Sequence, residues 1–333
     1  MPLYQTASTP IQKTAACPPA AAVFISTHCS CYMRRLLQHP SAGYVLALLG
    51  SLLFSTKAIL VKLAFAGAKV DALSLLTVRM LFALPFYLVG AWLIDRDAAN
   101  VRMSRNQWVL VIVLGLFGYY LSSLFDFMGL QYISAGLERL ILFLYPTFSL
   151  LINAFVFKQT LSRKQIIAVV LTYAGILVAY IGELQLDNSN PNFVLGSLLV
   201  FLCAITYSIY ISGSGRIIPQ VGANKFNSFA MLAATGGIFL HFLFRGNYSI
   251  LTASTTLWTY GPALAILSTV IPSYLIAAGM KKIGSSNVAI VSSIGPVSTI
   301  LQAHLFLGEQ IFLEQIVGTC LVLAGVLMLG VKK

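Results

Sequence analysis

Charge is scarce in this sequence: Asp, Glu, Lys and Arg together make up 9% of its 333 residues. Soluble domains carry about 25%, so the chain lacks the ionic groups that coat a water-facing surface. With 58% hydrophobic residues and a mean hydropathy of +0.87, it reads as a polytopic membrane protein. Acidic residues are the rarer sign, leaving a net charge of +12. No basic groove interleaved with aromatics accompanies that excess, as single-strand binders require, so nucleic acid is excluded as a partner. Cysteine is sparse too: Cys203 and Cys320 fall within apolar runs and read as small buried hydrophobes. His28, Cys29 and Cys31 lie close together but have no second pair of ligands nearby, and structural zinc sites want four. No metal and no cofactor is expected. A basic lead followed by an apolar run, as in a secretory leader, is missing from the first 30 residues. Residues 1–42 are expected to be a disordered or spuriously translated tail, with Met33 as a second candidate start beside Met1.

What the chain has instead is long apolar runs. A spanning helix needs about 20 mostly apolar residues, which predicts ten: 43–65, 73–93, 108–128, 134–157, 164–182, 193–212, 226–245, 257–279, 285–307 and 313–331. An internal repeat organises them. At an offset of 150 residues, GLQYISAGLERLILFLYPTFSLLINAFVF from Gly129 lies on GMKKIGSSNVAIVSSIGPVSTILQAHLFL from Gly279 without a gap. Pro146 meets Pro296, Gln165 meets Gln315, Ala174-Gly175 meets Ala324-Gly325, and Trp108 meets Trp258. Five helices per copy is an odd number, so the second copy enters the bilayer from the opposite side, an inverted arrangement common in secondary transporters. The expected fold is all-α: ten transmembrane helices as two inverted five-helix repeats, 43–182 and 193–331, around a central cavity.

Loop charges fix an orientation. With a cytoplasmic N-terminus the inner segments hold fifteen basic residues (Lys13, Arg34, Arg35, Arg96, Arg102, Arg105, Lys158, Arg163, Lys164, Arg216, Lys225, Lys281, Lys282, Lys332, Lys333) and the outer loops two, Lys69 and Arg245. That bias places both termini in the cytoplasm, and Trp108 and Trp258 near opposite interfaces.

Against this background the stretch SAGLERLILFLYPT, residues 134–147, is anomalous, because Glu138 and Arg139 sit in an apolar run. Lys57, Arg79 and Asp126 are likewise inside predicted spans, with Lys62 nearer an end. Each charge at mid-membrane costs about 2.5–3.5 kcal/mol on insertion scales, so these groups must face one another or a wet interior. All five fall in the half of the first repeat nearer the outer face. Adjacent helical residues diverge by about 100°, so Glu138 and Arg139 need separate partners. Glu138 shares a stripe with Tyr145, Ser149 and Asn153 and is expected to face the cavity. Arg139 is expected to turn toward Asp126. At the same offset Lys57 becomes Tyr207, Arg79 Phe229, Asp126 Ile276, Glu138 Val288 and Arg139 Ala289: the scaffold is duplicated and the charges are not. The second half offers Tyr207, Tyr210, Ser273, Ser292, Thr299 and Gln302, with His241 and His304 near helix ends. Lys57, Arg79, Tyr145, Ser149, Tyr207, Tyr210 and Gln302 are the substrate-binding candidates. Asp126, Glu138, Arg139 and His304 are candidates for proton coupling or a buried ion pair. A structural salt-bridge cluster with no part in transport is the alternative. Pro85, Pro146, Pro262, Pro272 and Pro296 interrupt spans and predict kinks.

The units IGPVSTILQAHLFLGEQIFLEQIVGTCLVLAGVLML and LYPTFSLLINAFVFKQTLSRKQIIAVVLTYAGILV, with proline, then glycine-glutamate in the second copy only, then alanine-glycine, resemble EamA-type members of the drug/metabolite transporter superfamily. Arg79 also sits where these proteins often carry arginine. The resemblance spans about residues 43–331 and departs from the pattern at Lys158-Gln159, which stand in place of glycine-glutamate. It implies a bundle moving small metabolites through a cavity open to one side at a time, and no catalytic residues. Together these observations predict a secondary transporter in a bacterial inner membrane, an exporter of an amino acid or organic acid with proton coupling, acting as a monomer or weak homodimer on a small-molecule substrate. A nucleotide-sugar or sugar-phosphate carrier is the runner-up. A membrane-embedded enzyme is a distant third, because the span histidines lie far in sequence from the acidic pair.

Overall fold

A computed structural model describes residues 40–67, 70–96, 102–156, 158, 162–186, 191–248 and 254–330. The expectation of a tail over residues 1–42 therefore lies almost wholly outside the described residues. Every regular element described is a helix. They are α1 (Pro40–Gly67), α2 (Ala72–Asp95), α3 (Arg105–Gly129), α4 (Ala135–Leu142), α5 (Tyr145–Phe155), α6 (Arg163–Leu186), α7 (Phe193–Val221), α8 (Ala223–Arg245), α9 (Thr255–Ala265), α10 (Ile271–Ser292), α11 (Gly295–Leu307) and α12 (Leu313–Gly330). Among the described residues eight stretches are long and apolar enough to cross a membrane, and Leu313–Met328 forms a shorter apolar helix. Large apolar side chains point outward all round, including Phe155, Phe244, Leu305 and Leu313. A water-soluble monomer does not expose apolar surface on this scale, whereas lipid covers it at no cost.

The predicted span 134–157 is two helices rather than one. α4 stops at Leu142 and α5 restarts at Tyr145, and 150 residues later α10 stops at Ser292 and α11 restarts at Gly295. Proline explains both breaks. A proline ring collides with the carbonyl four residues before it, and four before Pro146 and Pro296 are Leu142 and Ser292, the last residues of the two helices. Each proline then opens the next helix, where its missing N–H costs nothing.

A second pair of irregularities has the same spacing. Within α3, Leu116–Leu121 is a π-helical turn in which the Ser122 N–H reaches the Phe117 carbonyl; between α9 and α10, Ile266–Val270 repeats it with Ile271 and Ile266. In the first copy the Ser122 hydroxyl bonds the Gly118 carbonyl. In the second, Pro272 removes the N–H that would serve the equivalent carbonyl, Ser268.

The predicted connection over 280–284 is helical. However, a Cβ on Gly50 would meet Ile276, while Ser51 Oγ donates to Ser292 Oγ at 2.9 Å. Positions 276 and 292 of a straight helix stand about 24 Å apart, yet they reach neighbouring residues of α1. The chain therefore reverses within α10 and runs back along α1. Glycines allow the tightest seams: a Cβ on Gly175 would lie 2.6 Å from the Gly318 carbonyl oxygen, which joins α6 to α12, and one on Gly129 would lie 2.5 Å from Val200, which joins α3 to α7.

Candidate functional site

Three charged side chains meet in the interior. Lys57 Nζ lies 2.6 Å from Asp126 Oδ2 and 3.4 Å from Glu138 Oε1. Asp126 is 1% exposed and Glu138 is fully buried. Local structure aims all three. Lys57 stands deep in α1, Asp126 follows the π turn of α3, and Glu138 sits one turn into α4. Asp126 Oδ1 and Glu138 Oε2 are buried without a hydrogen-bond partner. One ammonium thus faces two acids, and the cluster carries a net negative charge if both are ionised.

The arginines lie apart from this cluster. Arg79 is 6% exposed; its Nε donates to Thr269 Oγ1 at 2.9 Å and its guanidinium sits 5.4 Å from the Phe127 ring centroid. Its Nη1 is buried without a hydrogen-bond partner. Arg139 does not turn toward Asp126, as the sequence predicted. Lys57 occupies that carboxylate, and Arg139 instead packs 5.5 Å from the Phe143 centroid and against Gly295 at the break before α11. Its Nε likewise has no partner. The 100° divergence from Glu138 is as expected, but the helix is rotated the other way.

Tyr145 packs edge-on to Tyr207 at 5.2 Å, and Tyr207 stacks on Tyr210 at 5.7 Å. The Tyr210 hydroxyl meets that of Tyr119 at 2.9 Å, and Tyr119 donates to Asn227 Oδ1 at 2.8 Å. Ser149 and Ser212 share a hydrogen bond at 2.8 Å. These residues form a polar-aromatic wall across α3, α5, α7 and α8. Gln302 is tied to Ser298 at 2.8 Å and to α1 through the Leu52 carbonyl. His304 is exposed and bonds the backbone carbonyl of Glu309 at 2.9 Å. It is a local cap at the end of α11.

Three further groups meet near Ser134, of which sequence reasoning passed over Glu183. Glu183 accepts from the Ser134 N–H and hydroxyl, Glu309 from the Ala135 and Gly136 N–H groups, and Lys62 donates to the Ile133 carbonyl. An acidic residue just past the predicted end of the fifth span was the available signal for Glu183. At the same end of the bundle a cavity of ≈ 590 Å³ is lined by Asp71, Leu124, Gln131, His241 and Arg245 among others. Among the described residues no three His, Cys, Asp or Glu side chains gather as a metal site would need.

Apolar crossing helices, proline-broken segments and charges gathered inside rather than facing lipid define a multi-pass membrane transporter. The EamA-like transporter family matches residues 41–181 and 194–331, each covering one copy of the repeat. An uncharacterized transporter, YcbK of Bacillus subtilis (strain 168), is 32% identical over 289 residues, 85% of this chain and 90% of the relative. The chain belongs to the EamA-like transporter family. Among its other relatives is the aromatic amino acid exporter YddG of Ancylobacter novellus, 26% identical over 228 residues, 67% of this chain and 77% of that protein. A crystal structure 20% identical in sequence superposes with a TM-score of 0.58 over 87% of this chain and 96% of the other, a likeness in fold alone.

Proposed function

We propose that the protein is a secondary active transporter that exports a small carboxylate-bearing metabolite, an amino acid or organic acid, by alternating access coupled to protons. In this reading the chain crosses a bacterial inner membrane ten times as two inverted repeats, with both termini cytoplasmic, and acts as a monomer or weak homodimer without catalysing a reaction. The observation that carries the reading is one lysine shared by two buried acids. Lys57 with both carboxylates ionised is a net anion, and an uncompensated buried charge is costly. One proton on the pair neutralises it, so Asp126 and Glu138 together are the proton site. Lys57 is engaged by both acids, which moves it from substrate recognition to holding that pair. Arg79 takes the anion: it is the buried cation with an open Nη1, and the tyrosine wall lies nearby to meet the rest of the molecule. The named activity of the YddG relative supports a carboxylate substrate.

Two measurements test this. Thermal melts of the purified protein against L-amino acids, carboxylic acids and sugar phosphates should show stabilisation by a carboxylate, lost in Arg79→Gln. Stabilisation by sugar phosphates alone would instead favour the nucleotide-sugar or sugar-phosphate type of carrier. In proteoliposomes Glu138→Gln should abolish transport driven by a pH gradient while leaving the fold intact. Undiminished gradient-driven transport by the folded variant removes Glu138 from the mechanism.

A further inference from the structure

The Ser134 end of α4 is held more firmly than helix capping requires. A helix N-terminus leaves N–H groups without intrahelical partners, and one nearby acceptor commonly serves. The Ser134 hydroxyl already does so, accepting from the Leu137 N–H at 3.0 Å. Two carboxylates from elsewhere are added. Glu183 of α6 accepts from the Ser134 N–H at 3.1 Å and its hydroxyl at 2.7 Å. Glu309, in the α11–α12 connection, accepts from Ala135 N–H at 2.9 Å and Gly136 N–H at 3.3 Å. Every oxygen of both acids is thus committed to three consecutive residues. Lys62 of α1 holds the preceding Ile133 carbonyl at 2.7 Å. The Gln315 side chain of α12 rests its amide nitrogen against Gly136.

What they grip is a short lever. α4 has eight residues and ends at Leu142, where Pro146 breaks the helix. Glu138 stands three residues beyond Ala135, about 4.5 Å along the axis. A rigid piece of that length cannot shift at one end without carrying Glu138 relative to Lys57. The residues of the clamp are not repeated in the second copy. At the 150-residue offset Lys62 becomes Ser212, Glu183 becomes Lys333, and Glu309 aligns with Gln159. Beside the clamp opens the ≈ 590 Å³ cavity, lined in part by Gln131 of the same α3–α4 connection.

We propose that Glu183 and Glu309 are positioning residues of a latch that holds α4 and shuts the pathway at the Ser134 end, and that releasing it displaces Glu138 from Lys57. The latch rests on the transporter reading for its purpose, but its existence can be measured without any transport. Cys203 is the reporter: it is buried on α7, close to the charged cluster. Cys17, Cys29, Cys31 and Cys320 are replaced by Ser, and labelling by a membrane-impermeant maleimide is timed in right-side-out and inside-out vesicles. Glu309→Gln presents an amide donor to a backbone N–H, and Glu183→Ala removes both acceptors; each should speed labelling at least tenfold from one membrane face only. Unchanged labelling in the folded variants overturns the latch, and so does an equal rise from both faces, which would report general loosening. If the parent protein moves no substrate but the variants label from one face, the latch stands and the transport reading fails.

Discussion

Arg139 and Gly295 are in direct contact: a Cβ on residue 295 would lie 2.6 Å from Arg139 Nη2 and 3.4 Å from Cζ. The contact joins the two proline-broken regions. A cation on α4 fills the space left by the missing side chain at the start of α11.

Gly295→Val should therefore overpack this joint. Such changes cost about 1–3 kcal/mol, read as a lower melting temperature of the detergent-solubilised protein. The double variant Gly295→Val/Arg139→Ala should recover most of the loss. Equal melting of single and double variants would show that the crowding lies elsewhere.

Removing Lys57 should be worse than removing it with an acid. Lys57→Met leaves two buried carboxyl groups without the ammonium they share, and breaking a buried pair costs about 3–5 kcal/mol. Lys57→Met/Asp126→Leu leaves only Glu138, which a single proton neutralises. The double variant should give more folded protein by fluorescence-detected gel filtration than Lys57→Met alone.

Thr269→Val should leave the fold intact and weaken ligand stabilisation. It removes the acceptor that fixes Arg79 Nε, a bond to a charged group worth about 1.5–3 kcal/mol. The guanidinium remains but is no longer aimed. Affinity should fall by about tenfold or more, measured as the ligand concentration needed for a given thermal shift, whereas Arg79→Gln should abolish the shift.

The α6–α12 seam gives a prediction independent of the charges. Gly318 lies against the Gly175 carbonyl and Ala179, so Gly318→Leu should prevent the two helices from closing and sharply reduce folded yield. Ala324, on the exposed side of the same helix, should accept leucine with little change.

The frame of the molecule was legible because its causes are local and repeated. Pro146 and Pro296, read as equivalent kinks, mark the two breaks, and apolar runs mark the helices. The π turns carry no such mark: one copy uses a serine hydroxyl and the other a proline to free the same carbonyl, two unlike residues with one effect. The meeting of Lys57, Asp126 and Glu138 depends on how far each helix is rotated about its own axis. That rotation is set by glycine seams such as Gly129 against Val200, contacts between segments far apart in sequence. Composition said that the charges must be hidden, and spacing said that Glu138 and Arg139 must part. Neither could say which of them would find Lys57. Glu183 was missed because it stands one residue beyond the predicted end of its span, where an acid reads as a solvated terminus.

The π turn at Leu116–Leu121 also sets the compass bearing of an acid it never touches. A widened turn holds a spare residue, and each residue advances a helix by about 100°. Coiled as regular α-helix throughout, the same residues would swing Asp126 off Lys57 by more than a quarter of a circle, with neither partner altered. The matching turn at Ile266–Val270 aims a stretch that bears Ile276 where the first copy bears Asp126.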